Sequence, residues 1–226
     1  MASKEYEAIL KVLLDAVQTA NASQASQAPA PVAAPAVPAG IPVGVSNHHI
    51  HLSQADLETL FGVGYNLTPI KDLSQPGQFA CKETVTIVGP KGAIEKIRVL
   101  GPVRSKTQIE ILTSDTFKLG VKAPAKLSGD LAGTPGITIV GPKGSVQTSE
   151  GLIVAQRHIH MTPADAAAYG VADGQIVTLE VEGPRGGCFT NVAIRATDTS
   201  ALECHLDNDE ANAMSINSST TVKIVK

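Results

Sequence analysis

Residues 47–53 read NHHIHLS and residues 157–162 read RHIHMT, so five of the six histidines stand in two near-copies of one His-x-His phrase. In an extended strand, side chains two apart share a face. His49 and His51 therefore form a pincer of imidazoles, as do His158 and His160. Neutral imidazole is a ligand for zinc and related divalent metals. A single strand His-x-His is more often structural; its duplication within one chain turns the reading towards metal. Zinc takes at least three protein ligands, so each half requires a further donor at an equivalent place. His205 is available in the second half. Counting back from it to Gly183-Pro184, and forward by nearly the same interval from Gly89-Pro90, falls within one residue of Glu110. A carboxylate is a competent zinc ligand. Alone, Glu110 reads as an exposed strand charge and His205 as an ordinary polar residue; their shared repeat position favours the metal. His48 breaks the alternation and is expected to face away. Cys204 is expected to point into the core, whereas Glu203 and Asp207 share a face with His205 as orienting partners or spare ligands. Arg104 precedes Glu110 in GPVRSKTQIE, and a guanidinium beside two divalent cations makes a pocket suited to phosphate. Its plainer reading is a surface arginine.

Local elements must hold these side chains. His49-Ile50-His51-Leu52-Ser53 with Asp56 matches His158-Ile159-His160-Met161-Thr162 with Asp165, in order and spacing. Ser53 and Thr162 read as helix N-caps with an aspartate at the third helical position, and Pro163 suits the first. The helices are expected to end at Phe61-Gly62 and Tyr169-Gly170. Period-two runs such as ETVTIVG, TQIEIL, GITIVG and NVAIRA read as strands, and GPKG at 89–92, GPKG at 141–144 and GPRG at 183–186 as hairpin turns. A phosphate-cradling role for these turns is weak, because none opens a helix with P-loop spacing. VTIVGPKGAIEKIRVLG also aligns with VTLEVEGPRGGCFTNVAIRA. The expected fold is mainly β, with two related closed β-barrel domains and short capping helices.

The front of the chain differs. Residues 3–18 place Tyr6, Ile9, Leu10, Leu13, Leu14 and Val17 at helical spacing, with charged and polar residues largely on the other face. Residues 1–20 thus read as an amphipathic helix, and residues 21–40 as an Ala/Pro-rich flexible linker. A helix folded back on the core is the plainer alternative; the long tether favours docking on another protein. The 226 residues, 43% of them hydrophobic, suffice for a sizeable core, and a net charge of -3 argues against nucleic acid or an anionic membrane. No apolar run reaches the roughly 20 residues of a membrane span, and no secretory layout is present, so a cytoplasmic protein is expected. Cys81, Cys188 and Cys204 form no CxxC and read as buried free thiols.

SNHHIHLS, RVLGPVRSKTQIEIL, QRHIHMT and the stretch from His205 to Asn208 resemble the PduL-type phosphotransacylases, the phosphate propanoyltransferases of bacterial microcompartments. The resemblance covers residues 41–226. It implies two zinc ions per chain, one on His49, His51 and Glu110 and the other on His158, His160 and His205. It also implies phosphate on Arg104 and coenzyme A near Ser46, Lys71, Arg98, Leu100 and Asn212. Residues 41–46 and 155–226 would form the second barrel and residues 47–154 the first. Residues 1–20 would be an encapsulation peptide addressing shell or cargo proteins in the microcompartment lumen.

The expected reaction moves an acyl group between coenzyme A and phosphate, with acyl-CoA and phosphate as the small-molecule partners and no protein nucleophile. Two alternatives use the same residues: a dinuclear metallohydrolase that activates water, and a non-catalytic microcompartment protein with structural metals. A homo-oligomer stays open.

Overall fold

Alternating burial along the β-branched runs builds the core. In the strand Phe79–Val88, Cys81, Val85 and Ile87 turn inward, while Lys82 and Val88 face solvent. The computed structural model describes residues 40–225 and Lys11. The helix expected over residues 3–18 and most of the linker lie outside the described residues. The chain divides into two units, Met1–Ala36 and Val37–Lys226, and all the elements below belong to the second.

In chain order, this unit begins with β1 (Ile41–Ser46), β2 (His49–His51), α1 (Gln54–Phe61), β3 (Pro69–Asp72), β4 (Phe79–Val88), β5 (Ala93–Gly101) and β6 (Gln108–Ile111). It continues through α2 (Thr113–Leu119), β7 (Ala125–Lys126), β8 (Thr138–Val140), β9 (Ser145–Gln147) and β10 (Leu152–Ala155). The last part holds β11 (His158–Met161), α3 (Pro163–Tyr169), β12 (Ile176–Val181), β13 (Gly187–Ala196), β14 (Glu203–Asp207), α4 (Asn208–Ala213) and β15 (Thr221–Val225).

The fold is mainly β. Strands β1-β14-β11-β13-β12-β15 close into a barrel. The other sheet runs β7-β10-β6-β2-β5-β4-β8-β9, with β3 on β4, and curls without closing. Its terminal strands are short, two residues in β7 and three in β9, which limits the unpaired edge that closure would otherwise remove. β1 joins the closed barrel, parallel to β14 and antiparallel to β15, although it immediately precedes β2 of the open sheet. The chain therefore crosses between the sheets beside the first His-x-His. Each sheet covers its own apolar cluster, one around Ile50, Ile87, Ile97 and Ile109, the other around Ile159, Leu179, Ile194 and Leu206.

Both predicted caps form: Ser53 Oγ accepts from the Asp56 N–H and Thr162 Oγ1 from the Asp165 N–H. All three Gly-Pro turns join antiparallel strands. Two of them do more than reverse the chain. The Lys91 N–H donates to the Leu119 carbonyl and the Lys143 N–H to the Leu60 carbonyl, both at 3.0 Å, satisfying carbonyls at the ends of α2 and α1. That approach requires glycine: a Cβ on Gly89 would lie 2.3 Å from the Leu119 oxygen, and one on Gly141 2.6 Å from that of Leu60. Cys81 and Cys204 are buried as expected, but Cys188 is exposed near the start of β13. Among the described residues no helix is long and apolar enough to cross a membrane.

Candidate active site

Strand register explains why the two halves carry comparable donor sets. β2 runs antiparallel to β6, with His49 opposite Glu110 and His51 opposite Gln108. β11 runs antiparallel to β14, with His158 opposite His205 and His160 opposite Glu203. Glu110 and His205 thus occupy the same place relative to their pincers. In each group of three, His49, His51 and Glu110 or His158, His160 and His205, one donor atom per residue lies within 4.8 Å of the others.

The geometry within each group fits a metal. The Nε2 atoms of His158 and His160 are 3.1 Å apart, and Nε2 of His49 is 3.3 Å from Oε2 of Glu110. Two ligands of a tetrahedral zinc at ordinary bond lengths stand about 3.3 Å apart. The ring tautomers are set alike: Nδ1 of His49 bonds the Asn47 carbonyl and Nδ1 of His158 the Gln156 carbonyl, each at 2.8 Å. With Nδ1–H donating to the backbone, Nε2 carries the free lone pair.

The residue two before the third donor steadies it in both halves, with opposite polarity. Gln108 Nε2 donates to Glu110 Oε1 at 2.6 Å, whereas Glu203 Oε2 bonds His205 Nε2 at 2.7 Å. The acidic Glu110 is met by an amide donor and the basic His205 by a carboxylate acceptor. Ser74, from the open sheet's β3–β4 loop, braces Glu203 by a hydrogen bond, and Gln75 beside it bonds the Ala201 backbone through both amide atoms. Gly44 leaves room for that carboxylate, since a Cβ there would stand 2.7 Å from Glu203 Oε2. Asp207 instead caps α4, accepting from the Glu210 N–H.

Burial sets the charges. It is the largest influence on three of the imidazoles, driving His51 and His160 down to about 3 and His158 to about 4, with neighbouring cationic groups adding to the effect. These rings are neutral at physiological pH, the form in which an imidazole can donate to a metal. Burial also pushes on His49 and Glu110, but their mutual attraction and hydrogen bond outweigh it: His49 is raised, and Glu110 is held well below the usual carboxylate range.

Both groups line one cleft of about 500 Å³. Arg104 enters it from a bridge between Ser53 and Arg104, with its N–H bonded to the Leu52 carbonyl. Its guanidinium donates to His51 Nε2 and to Ser128 Oγ, each at 2.9 Å. Ser46, Arg98 and Leu100 also line the cleft, whereas Lys71 and Asn212 are exposed and lie outside its lining. His48 turns aside to Asp115, 3.0 Å away, though it too borders the cleft. Sequence reasoning passed over Gln108, Ser128 and Arg195. The Ile-Arg of each repeat does not mark one position, since Arg98 stands opposite His49 whereas Arg195 stands opposite His160.

The family model for phosphate propanoyltransferase matches residues 42–217. A phosphate propanoyltransferase of Thermotoga maritima is 60% identical over 188 residues, covering 83% of this chain and 90% of that one. Proteins of the same name from Rhodobacter capsulatus and Listeria monocytogenes are 53% and 49% identical, covering 84% and 83% of this chain and 88% of each relative. The chain belongs to the phosphate propanoyltransferase family, and so to the phosphotransacylases among the acyltransferases.

Proposed function

We propose that the chain interconverts acyl-CoA plus phosphate with acyl phosphate plus coenzyme A, propanoyl being the acyl group, at a dinuclear zinc site inside a bacterial microcompartment. The observation that carries this reading is the convergence of two three-donor groups and Arg104 on one cleft. His49, His51 and Glu110 would hold one zinc, and His158, His160 and His205 the other. Three donors per ion would leave a coordination position for substrate, as in catalytic zinc sites. Zinc bound there supplies Lewis acidity to a thioester carbonyl and positive charge to a phosphate.

The remaining work falls to the chain. Phosphate is already a nucleophile, and its charge must be desolvated and aimed. Arg104 presents a planar fork for two phosphate oxygens, in exchange for its bonds to Ser128 and His51. A phosphate oxygen attacks the thioester carbon, the C–O bond forms, the C–S bond breaks, and coenzyme A departs as thiolate. Ser46, Arg98 and Leu100 along the cleft suit coenzyme A, with Lys71 and Asn212 as contacts beyond its lining. The open sheet, in residues 47–154, and the closed barrel, in residues 41–46 with 155–226, would supply one metal group each. Residues 1–20 would address the enzyme to shell or cargo proteins.

The test is thiol release from propanoyl-CoA, with and without phosphate, on protein of known zinc content. Release that requires phosphate and yields propanoyl phosphate is expected. Equal release without phosphate would make the chain a metallohydrolase, and none under any condition would leave the metals structural.

A further inference from the structure

Arg195 sits in β13, which runs parallel to β11 with Arg195 in register with His160. Residues in register on neighbouring strands face the same way, so Arg195 projects on the side of the His-x-His pincer and lines the cleft, half-buried. Among the described residues its guanidinium makes no hydrogen bond or ion pair to protein.

The carboxylates of the cleft are committed elsewhere. Glu110 is held by His49 and Gln108, Glu203 by His205 and Ser74, and Asp207 caps α4. Arg104, from the β5–β6 connection of the other sheet, hydrogen-bonds only the neutral partners Ser128 and His51. The two guanidiniums are close enough for Arg195 to make Arg104 less basic, after the larger effect of burial. Glu110 attracts Arg104 across the cleft but makes no ion pair with either guanidinium, so both arginines keep donors free for an incoming anion.

We propose that Arg195 is a second phosphate-holding residue, so that the phosphoryl group is gripped by one arginine from each sheet. The proposal rests on the acyl-transfer reading above. It gives the pairing of the two sheets a catalytic purpose, since neither alone completes the anion site. Coenzyme A also carries phosphates, so the shared chemistry is a phosphate oxyanion, and the experiment separates the two sources.

Arg195→Gln and Arg195→Lys would be prepared with wild type as zinc-loaded full chains. Zinc content and melting temperature would be measured first, then inorganic phosphate binding by calorimetry, and then steady-state kinetics with phosphate and the thioester varied separately. Losing a charge-assisted contact should weaken phosphate on the order of tenfold to a hundredfold in Arg195→Gln. Lysine should restore part of that, through charge without the fork. The KM for phosphate should rise in parallel, with the KM for propanoyl-CoA and the zinc content unchanged. The same defect should persist with propanoyl-pantetheine, which lacks the nucleotide phosphates. A rise confined to the KM for propanoyl-CoA, absent with the pantetheine thioester, would assign Arg195 to the coenzyme and overturn the proposal. Wild-type phosphate binding in both variants would also overturn it, as would loss of zinc or of fold in Arg195→Lys. If wild type itself releases thiol without phosphate, the acyl-transfer reading fails instead, and calorimetry still decides whether Arg195 binds the anion.

Discussion

Glu110→Gln separates what one buried carboxylate does for a metal from what it does for the fold. Glu110 accepts from Gln108 at 2.6 Å and lies 3.3 Å from His49 Nε2. Gln108 cannot flip at no cost, because its oxygen accepts from the Gly129 N–H and its nitrogen also donates to Ser128, both at 2.8 Å. The introduced amide can still meet both neighbours, turning its oxygen to Gln108 and its nitrogen to His49. His49, no longer beside a carboxylate, becomes neutral and accepts through Nε2 while Nδ1–H stays on the Asn47 carbonyl. The fold then loses only the charge assistance of those bonds, about 1–2 kcal/mol, the difference between charged and neutral hydrogen bonds. For a chain of this size that is a fall of roughly 2–8 °C in melting temperature. The gap has a pH window. The raised His49 contributes stability that is full below its unfolded value and lost as pH rises through its folded one. The lowered Glu110 contributes above its unfolded value and loses it in acid. The difference should therefore be widest in mildly acidic buffer and shrink as the medium turns alkaline. Metal binding should suffer far more. The amide N–H caps the lone pair that a metal needs and brings no negative charge, so first-site affinity should fall at least about a hundredfold, beyond what loss of an outer hydrogen-bond partner costs. Elemental analysis after dialysis against a chelator, chelator competition titrations and melting of the stripped protein across pH would measure both effects. Two zinc ions held at wild-type affinity would remove Glu110 from the ligand set. A melting loss well beyond 8 °C would refute the argument that the amide satisfies both neighbours.

Arg104→Lys should fold and keep both metals, yet lose on the order of tenfold to a thousandfold in turnover, because one ammonium cannot replace two oriented donors. Wild-type kinetics at every phosphate concentration would take Arg104 out of the site. On acidification the first metal group should lose zinc as His49, raised in pKa by its attraction to Glu110, competes for its proton. Zinc content of wild type and Glu110→Gln across a pH series checks this, and first-site zinc kept in acid well below the ordinary imidazole range would contradict it. Deleting residues 1–20 should leave phosphate-dependent thiol release nearly intact and abolish co-localisation with shell proteins. Lost activity with encapsulation preserved would place that segment in the catalytic core instead.

The sequence by itself determined the features that depend on short-range periodicity. A strand's two-residue period puts His49 beside His51 and His158 beside His160 on one face. Ser53 and Thr162 cap by contacts that span three residues, and the Gly-Pro turns act over four. Repeat arithmetic reached Glu110 and His205 because a duplicated chain preserves its register, and strand pairing sets both opposite the first histidine of their pincers. Long-range pairing decided the rest. The sheet bearing β2 stays open while its relative closes, because closure depends on whether terminal strands meet, and no local pattern records that. The turns at 89–92 and 141–144 dock on helix ends through contacts invisible in a hairpin motif. The opposite polarities of Gln108 on Glu110 and Glu203 on His205 appear only once β6 and β14 are aligned with their partners. Both repeats carry an Ile-Arg, but Arg98 stands opposite His49 and Arg195 opposite His160. Whether the Arg195 guanidinium faced solvent or the cleft hung on its register against His160, since a shift of one residue turns every side chain of a strand to the opposite face.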